Sequence, residues 1–328
     1  RLPMASVTKL MCLLIWAEEM EKGTFGMDTV ITATARANAM DGSVIWLNVG
    51  EEMSAYDMIR SVVIASANDA CVAVCEYITG TEEMFVERMN KRAQELGMSD
   101  THYDNCVGFD SDTHYTSAYD TALLSAAVSE YDCYNEFFAT RLDYVREGER
   151  QTQLLNTNKM MQRYDGIIGG KTGTTDKAGC CLAVWAKRGN MKLCAVALGC
   201  KESEQRFTAC TDLLNYGFSG FELYRTAVDS DVLTPVTVTE GLEKQAEVRV
   251  KRLNTIVIPK GSSKRIEYTH TVVDSLSAPV QYGEKVGEVR ASLDGEEIFY
   301  SDIVTTGEVG ELNFFSSLLI IIRRFFSM

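Results

Sequence analysis

The sequence of 328 residues predicts a mixed α and β part followed by a small antiparallel β part. All ten cysteines and thirteen of the fourteen methionines precede residue 211, whereas three of the four prolines follow residue 230. Up to residue 230, apolar residues recur at helical spacing and in short runs, whereas the rest of the chain alternates apolar and polar residues. The composition and the spacing of apolar residues change at the same place in the chain, which indicates a domain boundary.

Helices are predicted in the first part from apolar residues spaced three and four apart. The clearest stretches are Leu10–Trp16, Met58–Val63, Phe85–Leu96 and Leu123–Ala127. Two apolar runs, Leu182–Ala186 and Lys192–Leu198, flank the turn sequence Lys187–Asn190, a pattern typical of a β-hairpin. We therefore expect a sheet with helices packed around it.

Strands are predicted in the second part from apolar residues two positions apart, interrupted by glycine and proline turns. The clearest pairs are Val236/Val238, Val248/Val250, Ile256/Ile258, Ile266/Tyr268 and Ile298/Tyr300. We expect a first domain at residues 1–228, a β domain at residues 229–308 and a tail at residues 309–328.

The tail contains an uncharged apolar run of eleven residues followed by Arg323 and Arg324. A helix that spans a bilayer needs about 20 apolar residues, so the run is too short to cross by itself. Its composition favours a helix that lies on the membrane surface. The alternatives are a shortened span and a terminal helix packed on the protein itself.

The charge of the chain excludes one class of partner. Asp and Glu number 46 against 32 Lys and Arg, which gives a net charge of −14, and no basic block is present. A protein that neutralises nucleic-acid phosphates needs the opposite balance, so we expect no nucleic-acid partner. Three histidines and no C-x-x-C pair indicate no metal site, and we expect no cofactor.

The first candidate catalytic motif is S-x-x-K at Ser6 and Lys9, directly before the first apolar helix pattern. Residues three apart lie on the same face of a helix, so the hydroxyl and the amine can meet. A serine becomes a good nucleophile when a base takes its proton, and a lysine whose pKa is lowered by burial can be that base. Taken alone, Ser6 could equally be a helix N-cap.

Two further motifs follow. Ser66 and Asn68 form an S-x-N, which can relay a proton and bind a carbonyl, although a polar turn at a helix end has the same pattern. Lys171, Thr172 and Gly173 form a K-T-G on a predicted strand, which can bind an extended substrate and its carboxylate. A phosphate loop is excluded there because no glycine opens the motif and no helix follows it.

Together, S-x-x-K, S-x-N and K-T-G in this order resemble the signature set of penicillin-recognising serine enzymes. The chain resembles in particular the low-molecular-mass D-alanyl-D-alanine carboxypeptidases of peptidase family S11. The stretches that carry the resemblance are Pro3–Met11, Thr101–Asn105, His114–Asp120, Asn156–Asn158 and Gly166–Gly179. The resemblance covers most of residues 1–220. It implies a serine β-lactamase/transpeptidase-like catalytic domain with a central antiparallel sheet, an all-β sandwich domain and a C-terminal membrane-anchor helix.

The resemblance also implies the chemistry of the catalytic residues. Ser6 would attack the carbonyl of the penultimate D-Ala of a peptidoglycan stem peptide, with Lys9 as general base. The terminal D-Ala would leave, water would hydrolyse the acyl-enzyme, and Ser66 would relay protons to the leaving group. β-Lactams would acylate Ser6 as substrate mimics.

Substrate binding is implied for the remaining motif residues. Asn68 would hold the substrate amide, and Lys171 and Thr172 would bind the terminal carboxylate alongside Gly173. The backbone N–H groups of Thr174 and of the nucleophile would form the oxyanion hole, where removal of one donor typically costs about 3–4 kcal/mol.

Two other functions remain open. A class A β-lactamase shares the three motifs, but it uses a glutamate before K-T-G, and no E-x-x-L-N is present there. A non-catalytic penicillin-binding or peptidoglycan-binding sensor would be acylated without turnover. The complete set of motif residues favours the carboxypeptidase over both.

The cysteines and histidines are expected to be structural. Cys12, Cys71, Cys75 and Cys194 fall in apolar patterns, where thiols behave as small buried hydrophobic groups, so we expect mostly free thiols. His102 and His114 have no assigned proton in Ser/Lys chemistry, so we expect them to be structural hydrogen-bonding residues.

The chain begins at Arg1, five residues before the candidate nucleophile. The family usually has strands upstream of S-x-x-K, so we expect an N-terminally truncated, exported protein that lacks its signal peptide, or the absence of part of the central sheet. The expected location is extracytoplasmic and associated with the cell membrane.

Overall fold

The computed structural model describes residues 1–228 and 233–314, and the chain divides into two compact units, residues 1–218 and 219–328. The helices are α1 (Lys9–Glu21), α2 (Ala35–Asn38), α3 (Ala55–Ala65), α4 (Asn68–Thr79), α5 (Glu82–Glu95), α6 (Ala118–Val128), α7 (Asn135–Ala139), α8 (Met160–Arg163) and α9 (Ser203–Gly220). Their positions confirm the four helices predicted from apolar spacing.

The strands of the first unit form three separate sheets. They are β1 (Val30–Thr32), β2 (Glu52–Ser54), β3 (Leu142–Val145), β4 (Thr152–Leu155), β5 (Ile167–Thr175), β6 (Gly179–Arg188) and β7 (Met191–Cys200). β5, β6 and β7 make an antiparallel sheet in that order, and β6 and β7 are the predicted hairpin. The pairs β1–β2 and β3–β4 are two-stranded.

Helix α1 is the centre of the first unit. Its residues from Lys9 to Ala17 are all at most 1% exposed, because the helix is apolar on every side. Phe85 from α5 and Trp185 from β6 belong to the same core. A helix enclosed in this way gives the residues at its N-terminus a fixed position.

The turn between α3 and α4 holds the S-x-N motif. Helix α3 begins with Ser54 as N-cap, whose side chain accepts a hydrogen bond from the N–H of Asp57. It ends at Ser66, whose left-handed backbone (φ 65°) stops the helix. Two residues later Asn68 starts α4.

The second unit is built of strands. They are β8 (Phe221–Arg225), β9 (Val236–Thr239), β10 (Gln245–Ala246), β11 (Val248–Val250), β12 (Thr255–Pro259), β13 (Ile266–Val272), β14 (Ser275–Ser277), β15 (Lys285–Leu293) and β16 (Glu296–Thr305). One sheet has the order β11-β16-β15-β13 and another the order β10-β9-β14, while β8 pairs with β12. Val236 of β9 shares a core with Val289 and Phe299 of the larger sheet, which confirms the predicted all-β sandwich.

The ends of this unit differ from the predicted boundaries. Strand β8 lies before residue 229, the predicted start of the β domain. It belongs to the β unit because it pairs along its length with β12. Val309 pairs with Val280, and the N–H of Leu312 donates to Glu240, so the first residues of the predicted tail are part of the β unit. The predicted anchor helix otherwise falls on residues 315–328, outside the described residues. Among the residues described, no helix combines the length and the apolar character needed to span a bilayer.

Candidate active site

Ser6 and Lys9 lie at the junction of a 3₁₀ turn, Ala5–Thr8, and helix α1. Ser6 is partly exposed, whereas Lys9 is completely buried. The Nζ atom of Lys9 is 2.9 Å from the Oγ atom of Ser6. The local spacing of three residues thus brings the hydroxyl and the amine together, as the sequence predicts.

Two oxygens from distant parts of the chain also contact the amine of Lys9. Nζ donates to Oδ1 of Asn68 at 2.7 Å and to the carbonyl oxygen of Val107 at 2.8 Å. The amide of Asn68 is oriented by its other end, because Nδ2 donates to the carbonyl of Asp41 at 2.6 Å. Asn68, predicted as a substrate ligand, therefore has both ends of its side chain engaged within the protein.

Burial lowers the pKa of the Lys9 ammonium. The oxygens of Asn68 and Val107 can only accept, so each takes one N–H of the amine. A neutral lysine amine has only two N–H groups, and these two oxygens accept from both of them. The lone pair of Lys9 is then left facing the hydroxyl of Ser6. This arrangement suits an amine that removes the serine proton.

Ser66 and Lys171 form a second pair beside the first. Nζ of Lys171, which is 1% exposed, donates to Oγ of Ser66 at 2.9 Å and to the carbonyl of Thr172 at 2.9 Å. Burial, and after it the charge of Lys9, lower the pKa of Lys171 well below its ordinary value. Ser66 holds the left-handed conformation that a residue other than glycine rarely adopts, a kind of strain that clusters at functional sites.

Strand β5 carries the K-T-G residues past the nucleophile. A Cβ placed on Gly173 would lie 2.9 Å from the nitrogen of Ser6, so the strand can approach this closely only with glycine there. Oγ1 of Thr172 donates to Oγ1 of Thr157 at 2.6 Å, and Thr174 is exposed. The three motifs predicted from sequence are thus next to one another.

Arg206 on α9 was missed by the sequence reasoning. The residue is buried, with 8% of its surface exposed. Its guanidinium donates to the carbonyl oxygens of Gly173 at 2.9 Å and Cys181 at 3.2 Å. It therefore fixes the backbone of β5 beside the nucleophile. Arg206 lies four residues before Cys210 and eight before Leu214, on the buried face of the helix. This spacing was the signal in the sequence that could have found it.

The loop that supplies the carbonyl of Val107 was also missed. Asn105 shapes it, because its Oδ1 accepts from the N–H of Gly108 at 2.7 Å. Gly108 has φ 95°, and a Cβ there would lie 1.9 Å from the carbonyl oxygen of Ala5. Glycine is therefore required for the loop to reach Lys9.

His114 stabilises the turn that carries the nucleophile. Its Nδ1 accepts from the N–H of Asp104 at 3.0 Å. The hydroxyl of Thr8 donates to the carbonyl of Ala5 at 2.8 Å, so its oxygen accepts from Nε2 of His114, also at 2.8 Å. Burial lowers the pKa of His114 to about 4, which favours this neutral tautomer. The ring has the structural role expected from the sequence.

The groups that converge at this site are hydroxyls, amines and amides. These are not the carboxylate, imidazole or thiolate sets that hold metal ions. The site can activate a hydroxyl, move a proton between neighbours and hold an anion beside a lysine.

Comparison with known proteins agrees with the fold and the motifs. Residues 1–202 match the family described as D-alanyl-D-alanine carboxypeptidase, and residues 221–311 match the penicillin-binding protein 5 C-terminal domain. The chain belongs to the D-alanyl-D-alanine carboxypeptidase family, as the resemblance of its motifs predicts.

Individual relatives extend over both units. The D-alanyl-D-alanine carboxypeptidase DacF of Bacillus subtilis is 35% identical over 97% of this chain and 82% of its own length. DacA of Escherichia coli is 30% identical over 98% of this chain and 81% of its own length. The crystal structure of penicillin binding protein 5 from Haemophilus influenzae superimposes with a TM-score of 0.82 at 27% identity, covering 95% of this chain and 91% of that one.

Proposed function

We propose that this protein is a serine-type D-Ala-D-Ala carboxypeptidase that removes the terminal D-Ala from peptidoglycan stem pentapeptides through an acyl-enzyme at Ser6. The observation that carries the proposal is the position of Lys9. Its buried amine is 2.9 Å from Oγ of Ser6, with its other directions taken by Asn68 and Val107. A serine with a buried lysine as base is the arrangement that covalent acyl transfer needs.

In the acylation step, the proton of the Ser6 hydroxyl passes to Nζ of Lys9 as Oγ bonds to the carbonyl carbon of the penultimate D-Ala. The bond from that carbon to the nitrogen of the terminal D-Ala then breaks. Ser66 relays a proton: its hydroxyl proton goes to the leaving amine as it takes up the proton held by Lys9. Water hydrolyses the resulting ester and regenerates Ser6.

The oxyanion of this step would be bound by backbone N–H groups of Ser6 and Thr174. The N–H of Ser6 belongs to the first turn of a 3₁₀ helix, where N–H groups lack intrahelical partners. Gly173, without a side chain, lets strand β5 lie directly against the turn that carries Ser6. Preorganised donors of this kind are typically the largest single contribution to such catalysis.

Lys171 and Thr172 would bind the terminal carboxylate of the substrate. Within the protein itself, burial and then Lys9 disfavour the charged form of Lys171. A bound carboxylate favours the ammonium, so the ion pair forms when the substrate arrives. Asn68 would contact the substrate amide through the second N–H of its Nδ2, in addition to orienting Lys9.

The substrate sets the location. Stem peptides of peptidoglycan lie outside the cytoplasm, so we propose an extracytoplasmic protein associated with the cell membrane. The association would involve residues 309–328, and cell fractionation of the protein with and without residues 315–328 tests it. If the full chain leaves the membrane fraction as readily as the shortened chain does, this assignment is contradicted.

The function is tested by two assays on the purified chain. A fluorescent penicillin should label the protein, and peptide mass mapping should place the label on Ser6. The peptide diacetyl-Lys-D-Ala-D-Ala should release free D-Ala. Ser6→Ala should abolish both, whereas Ser125→Ala, which removes a fully buried hydroxyl in α6, should retain both.

Other outcomes would indicate other functions. Labelling that survives Ser6→Ala would exclude Ser6 as the nucleophile. Fast hydrolysis of a chromogenic cephalosporin without release of D-Ala would indicate a β-lactamase. Stable labelling without either activity would indicate a penicillin-binding sensor.

A further inference from the structure

Four buried cysteines converge in the core beneath the candidate active site. They are Cys12 on α1, Cys71 and Cys75 on α4, and Cys106 in the loop before Val107, and each is 0% exposed. The Sγ atoms of Cys12, Cys71 and Cys75 all lie within 4.8 Å of one another. Cys106 lies outside this mutual set, and its Sγ donates to Oε1 of Glu82 at 3.4 Å.

Local structure explains the convergence. Cys71 and Cys75 are four residues apart and share one face of α4. Cys12 faces them from α1, and none of the ten cysteines, all within the described residues, is in a disulfide. The carbonyl oxygen of Cys106 accepts from Sγ of Cys12 at 3.2 Å and from Sγ of Cys71 at 3.5 Å. This carbonyl fixes the loop against the two helices.

The geometry suits a soft metal ion better than a disulfide. In a tetrahedral thiolate site with metal–sulfur bonds of about 2.3 Å, neighbouring sulfurs are about 3.8 Å apart. Sulfurs within 4.8 Å of one another reach that separation with shifts of about 1 Å. A disulfide requires about 2.0 Å and therefore a larger movement. Sulfur donors select Zn²⁺, Cd²⁺ or Cu⁺ and exclude Mg²⁺ and Ca²⁺.

The loop at Cys106 is anchored beside the cluster. Sγ of Cys106 donates to Oε1 of Glu82 at 3.4 Å, and the N–H of Cys106 donates to the same oxygen at 3.2 Å. Arg36 contacts the other carboxylate oxygen at 2.8 Å. These contacts hold the loop at Cys106, and with it the carbonyl that accepts from Cys12 and Cys71, against the two helices.

We propose that Cys12, Cys71 and Cys75 form a structural site in which three thiolates hold one thiophilic metal ion. The ion joins α1 to α4 one helical turn below the contact between Lys9 and Asn68, because Cys12 and Cys71 each follow those residues by three positions. Binding displaces the thiol protons into solvent as metal–sulfur bonds form. The site is independent of the proposed function, and it adds to the fold rather than to the chemistry at Ser6.

The proposal is tested by titrating the full chain, stripped of metal and kept reduced with a phosphine, with Cd²⁺. We expect one equivalent per chain in the presence of a weak competing chelator, a thiolate-to-cadmium charge-transfer band in the ultraviolet, and a higher midpoint of thermal unfolding. Cys71→Ala and Cys75→Ala should each weaken binding at least tenfold.

Matched controls separate this site from other thiols. Cys210→Ala removes a buried thiol that packs in a different cluster, and Cys133→Ala removes an exposed one, so both should bind Cd²⁺ as the unchanged chain does. The unchanged chain provides the decisive measurement even if a variant fails to fold. Absence of an equimolar charge-transfer band there would overturn the proposal, as would stoichiometric binding that persists in the Cys71→Ala, Cys75→Ala double variant.

Discussion

A Cβ atom on Gly173 would lie 2.9 Å from the backbone nitrogen of Ser6 and 2.8 Å from the carbonyl oxygen of Met4. Both are backbone atoms, which cannot rotate away as a flexible side chain can. The strand that carries the K-T-G residues and the turn that carries the nucleophile are therefore separated by the width of a glycine.

Gly173→Ala should slow acylation by penicillin about 10²–10³-fold, the loss typical of removing one oxyanion donor. The added methyl pushes β5 away from the N–H of Ser6. Gly220→Ala is the control, because a Cβ there meets nothing within 4 Å. Acylation kinetics on both variants check this, and an unchanged rate for Gly173→Ala would contradict the proposed oxyanion hole.

The acylation rate should rise with pH and reach a plateau below the ordinary pKa of lysine. Burial lowers the pKa of Lys9, and the base acts in its neutral form, so activity is lost as the pH falls through that lowered pKa. The pH dependence of the second-order rate constant with penicillin measures it. A rate that still climbs in the ordinary lysine range would exclude a neutral Lys9 as the base. Lys9→Ala should remove the dependence together with most of the activity.

Lys171→Met should weaken kcat/KM for the D-Ala-D-Ala peptide by about 10–150-fold, because one charge-assisted hydrogen bond contributes about 1.5–3 kcal/mol. With a peptide that ends in an amide instead of a carboxylate, the two proteins should differ much less. Lys187→Met, at an exposed lysine on β6, is the control. Equal losses on both peptides would show that Lys171 does not bind the carboxylate.

Acid should destabilise the protein through His114. Its pKa is about 4 in the folded chain and about 6.5 when unfolded, so the unfolded state binds more protons between these values. About 3 kcal/mol of the free energy of unfolding is therefore lost as the pH falls from 6.5 to 4. Denaturant unfolding of the unchanged chain and of His114→Gln across this range measures the difference. The same pH dependence in both proteins would contradict this role of His114.

Several elements of the site follow from the sequence because they depend on neighbours along the chain. Ser6 and Lys9 share a helical turn, and the apolar residues of α3 run up to Ser66 at its end. The strand of Lys171 and the hairpin after it follow from apolar runs and a polar turn. The resemblance of the three motifs to one family then supplied the roles, which the structure by itself does not state.

Tertiary structure alone decided the contacts that join distant segments. The oxygens around the amine of Lys9 come from residues 59 and 98 positions away along the chain. Arg206, on a helix, donates to a carbonyl oxygen of strand β5. Three cysteines with no recognisable metal spacing meet because α1 and α4 pack together. The period of a helix or strand determines which of its residues share a face. Which residues of another element that face contacts depends on how whole elements pack together, and the local spacing of residues does not determine this packing.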